Sequence, residues 1–161
     1  ARTFQRETVF PTLRSIDNVL LAVENGAHAG SKRDNEARAE AALDLTGFPA
    51  TIHNTPAGGL PIFHRKLVMI AGALALDPAV VLLDEPAASL TEGEIDKMRT
   101  LILKLRDAGT TILLIEHVLP LLASVSDRLV EQDQGTLISG GTPRDVVADP
   151  RGVEAYLGGA A

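Results

Sequence analysis

Apolar side chains at Leu13, Ile16, Val19, Leu20 and Val23 recur at intervals of three and four, and this spacing predicts an amphipathic helix over residues 12–24. The Gly-, Ala- and Asn-rich stretch from Glu24 to Lys32 reads as a loop. Ser31 with Asp34 has the pattern of a helix cap, and Ala37, Ala41, Leu43 and Leu45 carry a second helix to Gly47, with Pro49 just beyond. Charges from Lys32 to Glu40 suit the solvated face of that helix. Thr51 to Pro61 contains Pro56, Pro61 and Gly58-Gly59 and predicts a loop, followed by a helix from about Ile62 to Leu76 that Asp77-Pro78 ends.

The pattern then changes. Val80-Val81-Leu82-Leu83 is an unbroken apolar run, two of its residues β-branched, which describes a buried strand. Thr91 and Glu94 form a capping box that opens a helix with Ile95, Met98, Ile102 and Leu105 on one face, stopped by Gly109. Thr110 to Ile115 predicts the next strand, and a short helix falls near residues 119–126. Two strands, Arg128 to Glu131 and Thr136 to Ser139, flank a turn at Asp133-Gln134-Gly135, and Thr142-Pro143 starts a last helix with Pro at its first position. Strands alternating with helices after residue 60 predict a parallel α/β core, while residues 12–60 read as a helical insert.

Composition narrows the class. At 161 residues and 45% hydrophobic, the chain has material for one domain. With four Phe, one Tyr and no Trp, its core must be built from Leu, Val, Ile and Ala, which suits α/β layers. A net charge of -6 argues against a nucleic-acid partner, since such binding rests on basic residues meeting phosphates. The lack of cysteine excludes disulfides, thiol catalysis and Cys-ligated zinc, and fits a reducing compartment such as the cytoplasm. The longest apolar stretch, Leu67 to Leu76, falls far short of the ~20 residues of a membrane-spanning helix. Ala1-Arg2-Thr3-Phe4-Gln5 has no hydrophobic region after its charge, so no signal peptide is expected. Any tie to a membrane is therefore expected to run through a partner.

The chemistry concentrates where the apolar run meets Asp84-Glu85-Pro86. Two carboxylates at a strand end can hold a hard cation and polarise water. The Gly-x-x-x-x-Gly-Lys-Ser/Thr loop that cradles phosphates opposite such a pair does not occur in these residues. Gly26 to Lys32 imitates it, but the spacing is wrong and no strand leads in.

Polar groups end two further strands: Gln5 after Arg2-Thr3-Phe4, and His117 after Ile115-Glu116. Gln5 or His117 alone would be ordinary. Together with Val80 to Glu85 and Ala87-Ala88-Ser89-Leu90 they resemble the glutamine loop, Walker B strand, dimer loop and switch histidine of an ATP-binding cassette (ABC) transporter nucleotide-binding subunit. Val9-Phe10-Pro11-Thr12-Leu13, Asp17-Asn18-Val19-Leu20, Ile112 to His117, Asp127-Arg128, Gly141-Thr142-Pro143 and Glu154-Ala155-Tyr156-Leu157-Gly158 are similar to the branched-chain amino-acid importer ATPases. The lipopolysaccharide-exporter ATPases share much of that tail.

The resemblance implies a P-loop NTPase-like (RecA-like) parallel sheet core, incomplete, with an α-helical subdomain insert. It divides the chain into a helical subdomain at 12–76, an α/β core at 1–11 and 77–140, and a C-terminal helical tail at 141–161. It implies ATP and Mg²⁺ as cofactors. Asp84 and Gln5 would serve the metal, Glu85 would polarise the attacking water, and His117 would contact the γ-phosphate. Leu60, Pro61, Ile62, Phe63 and His64 occupy the signature loop, which with Ser89 would face the nucleotide of a second, head-to-tail ATPase subunit. Permease subunits would hold the protein at the inner face of the membrane.

The chain also departs from the family. Phe63 stands where the signature loop usually has glycine, and its ring is expected to obstruct the approach to the partner's γ-phosphate. Gly72 stands where the family usually has Arg. The strand that normally carries the phosphate loop lies between the His117 strand and the last two strands, so its absence predicts a gap in the sheet and an exposed edge. These departures suggest either that Ala1 is an internal position of a longer protein or that the product starts here and pairs with another chain. Two functions follow: part of an ATP-hydrolysing importer subunit, for branched-chain amino acids by the resemblance, or a catalytically silent ABC-like interaction or regulatory module.

Overall fold

The computed structural model describes residues 1–3 and 8–151. Gln5 and the Glu154 to Gly158 segment lie outside the described residues. The chain forms two compact units, Ala1–Glu116 and His117–Ala161.

The first unit opens with three helices packed on one another: α1 (Ser15–Glu24), α2 (Lys32–Thr46) and α3 (Ile62–Leu74). Helix α1 starts three residues later than the apolar spacing predicts, because the backbone before it is already bonded elsewhere. Leu13 O accepts from Ala57 N at 2.9 Å, Pro11 O from Gly58 N at 2.9 Å, and Ser15 N donates to Thr55 O at 2.9 Å. Asn18 reaches back over the same segment, its Nδ2 donating to Leu13 O and Arg14 O and its Oδ1 accepting from Phe10 N.

Helix α2 begins as expected, with Asp34 N donating to the Ser31 hydroxyl at 3.3 Å, and ends on Gly47 in the left-handed conformation that glycine adopts most readily (φ 75°). Its buried face differs from the expected one. Asn35, Ala39, Ala42, Leu43 and Thr46 turn inward, while Ala37 and Ala41 are exposed. The polar Asn35 can be buried because Gly30 N donates to its Oδ1 at 2.8 Å, closing the preceding loop. Between α2 and α3, residues 51–61 form two short 3₁₀ turns.

The α/β part of this unit is small. Strand β1 (Val80–Asp84) pairs in parallel with β2 (Thr111–Ile115), with Leu82 opposite Leu113, and α4 (Glu92–Asp107) connects them. On the other side of β1, Thr3 N donates to Leu82 O and Leu82 N to Ala1 O, each at 2.9 Å. Val81 and Leu83 are buried, as are Met98, Leu101, Ile102 and Leu105 of α4. On β2, however, Leu113 and Ile115 are 55% and 51% exposed.

The second unit holds α5 (Leu119–Val125), the antiparallel pair β3 (Leu129–Asp133) and β4 (Thr136–Gly141), and α6 (Pro143–Val147). Gln134 and Gly135, at φ 47° and 81°, make the two-residue hairpin turn. Among the described residues the strands form two two-stranded sheets, β1-β2 in the first unit and β3-β4 in the second.

Two outcomes follow from these elements. A Cβ at Gly72, inside α3, would meet only the Ala22 Cβ, at an ordinary 3.8 Å. Gly72→Ala is therefore expected to raise stability by about 0.5–1 kcal/mol, read from the urea midpoint. At the start of α4, the Thr91 backbone N–H and hydroxyl donate to the Glu94 carboxylate and hold its carboxyl below the usual 4.5. A lowered native value contributes stability that is fully present above about pH 4.5 and lost as pH falls below that, through the native value. Glu94→Gln should thus weaken the protein at pH 7 and flatten the acid limb of its stability profile; an unchanged limb would contradict this.

Candidate functional site

Strand β1 carries its side chains alternately to two sides, so burying Val81 and Leu83 leaves Asp84 half-buried at the C-terminal end. Its Oδ2 accepts from the Arg2 guanidinium at 3.0 Å, and its backbone N–H donates to the Thr3 hydroxyl at 3.4 Å. The strand then stops abruptly. Glu85 takes a left-handed backbone, φ 47°, immediately before Pro86, a residue pair that disfavours that conformation both for its side chain and for the following ring.

Three contacts fix the turn. Glu85 N donates to Ile115 O of β2 at 2.8 Å, the Lys66 ammonium of α3 donates to Glu85 O at 3.1 Å, and Ala87 N donates to the Glu116 carboxylate at 2.6 Å. The chain then runs through Ala88, whose N–H returns to Glu85 O, to Ser89, exposed and also left-handed at φ 63°. Asp84, Glu85 and Ser89 therefore sit on one short turn.

Leu60 to His64 form the start of α3, with Pro61 as the residue capping its first turn. Here one expectation is corrected. The Phe63 ring does not project from the loop: it is buried, 5.7 Å from the His64 ring, with Lys97 Nζ 5.8 Å from its centre. An aromatic side chain in the first turn of a helix gains more by entering the core than by facing water. Leu60 is buried as well, and His64 stands edge-on to Phe48.

His117 follows Glu116 at the end of β2 and opens the second unit. Sequence reasoning did not single out Arg2, Lys66 or Glu116 as separate contributors to the turn. Lys66 left a trace, as the charge directly before the apolar Leu67 to Leu76 run. Arg2 and Glu116 left none, because what they do depends on contacts between distant segments.

No family model matches the chain. It is 34% identical over 174 residues to the high-affinity branched-chain amino acid transport ATP-binding protein BraF of Pseudomonas aeruginosa, covering 98% of this chain and 67% of that protein. It is also 34% identical over 170 residues to the high-affinity branched-chain amino acid transport ATP-binding protein LivG of Escherichia coli K12, again covering 98% and 67%. Among solved structures, the ADP conformation of an ATP-binding cassette from an ABC transporter superposes with a TM-score of 0.79 at 26% identity, covering 98% of this chain and 68% of that one. The chain thus spans about two thirds of the length of the proteins it matches. Its fold is the P-loop NTPase α/β fold of these cassettes, and the chain belongs to the family of ABC transporter ATP-binding proteins.

Proposed function

We propose that these residues form the C-terminal portion of an ATP-hydrolysing importer subunit, one that couples hydrolysis to uptake of branched-chain amino acids. The observation that carries this reading is the Asp84-Glu85 turn: two adjacent carboxylates at the end of a buried strand, the second in a strained backbone braced from three directions. Strain of that kind persists where the surroundings over-determine it, and it gathers at functional sites.

The donor chemistry fits the cofactor in part. Asp84 offers the hard oxygen that Mg²⁺ prefers, while these residues contribute no phosphate cradle of the Gly-Lys type. When bound, the metal neutralises phosphate charge. In this reading, Asp84 helps to hold it together with Gln5, and Glu85 accepts a hydrogen bond from the attacking water. His117 donates to a phosphate oxygen. The start of α3, Leu60 to His64, together with Ser89 faces the nucleotide of a second ATPase subunit across a head-to-tail dimer. Residues 12–76 act as the helical subdomain towards permease subunits. These would hold the protein at the inner face of the cell membrane; among the described residues no helix is long and apolar enough to cross it.

The importer assignment follows the names of the relatives BraF and LivG, and the solute itself is a choice made by permease and binding-protein subunits. A catalytically silent module is the second reading, favoured by Phe63 standing in the signature segment where a glycine would let backbone approach a phosphate.

Hydrolysis separates the two. In the product of the complete reading frame, assembled with its permease, Glu85→Gln is expected to lower the ATPase kcat by about 100-fold or more while nucleotide still binds, as loss of a general base does. Unchanged turnover in that variant would remove the role given to Glu85, and no turnover in the unaltered assembly would favour the silent module. Asp84→Asn is expected to raise the Mg²⁺ concentration needed for half-maximal rate by about 10-fold, the order seen when one ligand contact is weakened. Uptake of labelled leucine, and not of labelled lysine, by reconstituted vesicles checks the solute.

A further inference from the structure

Among the described residues Lys66 is the largest fully buried side chain, 1% exposed, and it is charged. Its stem lies on the face of α3 that also buries Phe63, Ile70 and Ala73, and its ammonium donates to the backbone carbonyl of Glu85. A buried ammonium gives up its water shell, a cost that an apolar side chain does not carry. A methionine of similar length would fill the same space without that cost. The position of the ammonium points to the group it touches, the carbonyl of Glu85.

That group is the one under strain. Glu85 is held left-handed before a proline, a backbone that relaxes towards the extended region unless it is restrained. The restraints sit on both of its peptide groups. Ile115 O takes its N–H, the Lys66 ammonium and the Ala88 N–H both donate to its C=O, and Glu116 fixes the N–H of Ala87 two residues on. The φ and ψ of Glu85 set the direction of its Cα–Cβ bond, so whatever fixes the two flanking peptides sets the base from which the carboxylate reaches out.

We propose that Lys66 is a positioning residue: from the core of the helical segment it clamps the Glu85 carbonyl and so holds the Glu85 carboxylate in the direction that water activation requires. The inference rests on the role proposed for Glu85. It adds a link between two parts of the chain, because the same helix begins with the signature segment Leu60 to His64. A shift of α3 would be felt at Glu85 through one hydrogen bond about one turn further along.

The test uses the complete protein with Lys66→Met and Lys66→Arg. Lys66→Met fills the same space with an apolar side chain of similar volume, and its urea midpoint establishes that the variant is folded. Amide exchange at Glu85 and Ala87 should quicken by about 10-fold or more relative to the amides of α4, as expected when a restraint on a local opening is lost. In the ATPase assay, kcat should fall by about 10-fold or more with KM for ATP within about 3-fold of the unaltered value, the pattern of an interaction felt in the transition state. Lys66→Arg, which keeps a charged donor, should recover much of the kcat and of the protection.

Unchanged exchange at Glu85 and Ala87 in a folded Lys66→Met protein overturns the clamp, as does a parallel rise of KM with an unaltered kcat. If the unaltered protein hydrolyses no ATP, the proposed function fails, and amide exchange alone then decides whether the clamp exists. Should Lys66→Met not fold, the unaltered protein still answers by nitrogen-15 NMR of its lysine ammonium groups. A slowly exchanging Lys66 ammonium with a cross-peak to Glu85 or Pro86 supports the clamp, and exchange as fast as that of Lys32 or Lys97 overturns it.

Discussion

Strand β1 has backbone partners on both sides, and the first unit depends on that arrangement. Leu82 bonds through its N–H and C=O to Ala1 and Thr3, and the ladder to β2 runs in register from Val80 opposite Thr111 to Asp84 opposite Ile115. A slip of one residue would carry Val81 and Leu83 out of the core and put Asp84 in it. Register is thus fixed by two buried aliphatic side chains, and the register decides where the carboxylates emerge. The turn at Glu85 inherits its place from the strand and its shape from Lys66, Ile115 and Glu116.

How far the sequence speaks for this structure follows the range of each interaction. The caps at Ser31, Thr91 and Thr142 and the hairpin turn at Gln134-Gly135 join residues within three positions of each other, and all are readable from the chain. The strand ending in Asp84-Glu85 is readable too, because an unbroken apolar run needs burial and two adjacent carboxylates need water, so the chain must leave the core between them. The start of α1 is not, since segments 11–15 and 53–58 must first meet for their backbones to bond. The inward face of α2 misleads for a related reason. Alanine is weakly apolar and marks neither face, so Asn35, with its bond to Gly30, decides the rotation. Of the candidate site, Asp84, Glu85 and Ser89 come together as one turn, while the bracing by Lys66 and Glu116 appears only in three dimensions.

Strand β2 breaks the rule that parallel strands are covered on both faces. Its sequence, Thr-Ile-Leu-Leu-Ile, is as apolar as that of β1, yet Leu113 and Ile115 are more than half exposed, and among the described residues its second edge has no strand partner. Unpaired N–H and C=O groups beside exposed aliphatic side chains are a template for another strand. The same strand supplies the Ile115 carbonyl that restrains Glu85, so any strand that came to lie against β2 would stiffen the support of the turn as well as cover its apolar side chains.

The ion pair between Arg2 and Asp84 bears on whether the metal role proposed for Asp84 is physically reasonable. At 3.0 Å the guanidinium takes one oxygen of the very carboxylate that would serve the cation. Yet the arginine side chain is 54% exposed and the aspartate 21%, and ion pairs so open to water contribute only about 0–1 kcal/mol. A divalent cation already held by a nucleotide's phosphates brings more charge at shorter range than a guanidinium can. The arginine side chain is long enough to swing aside with little loss, whereas Asp84, fixed by the β1 ladder, is not free to follow it. The pair therefore keeps the carboxylate extended towards solvent at little energetic cost to its release, and it leaves the strand end available to the proposed cation.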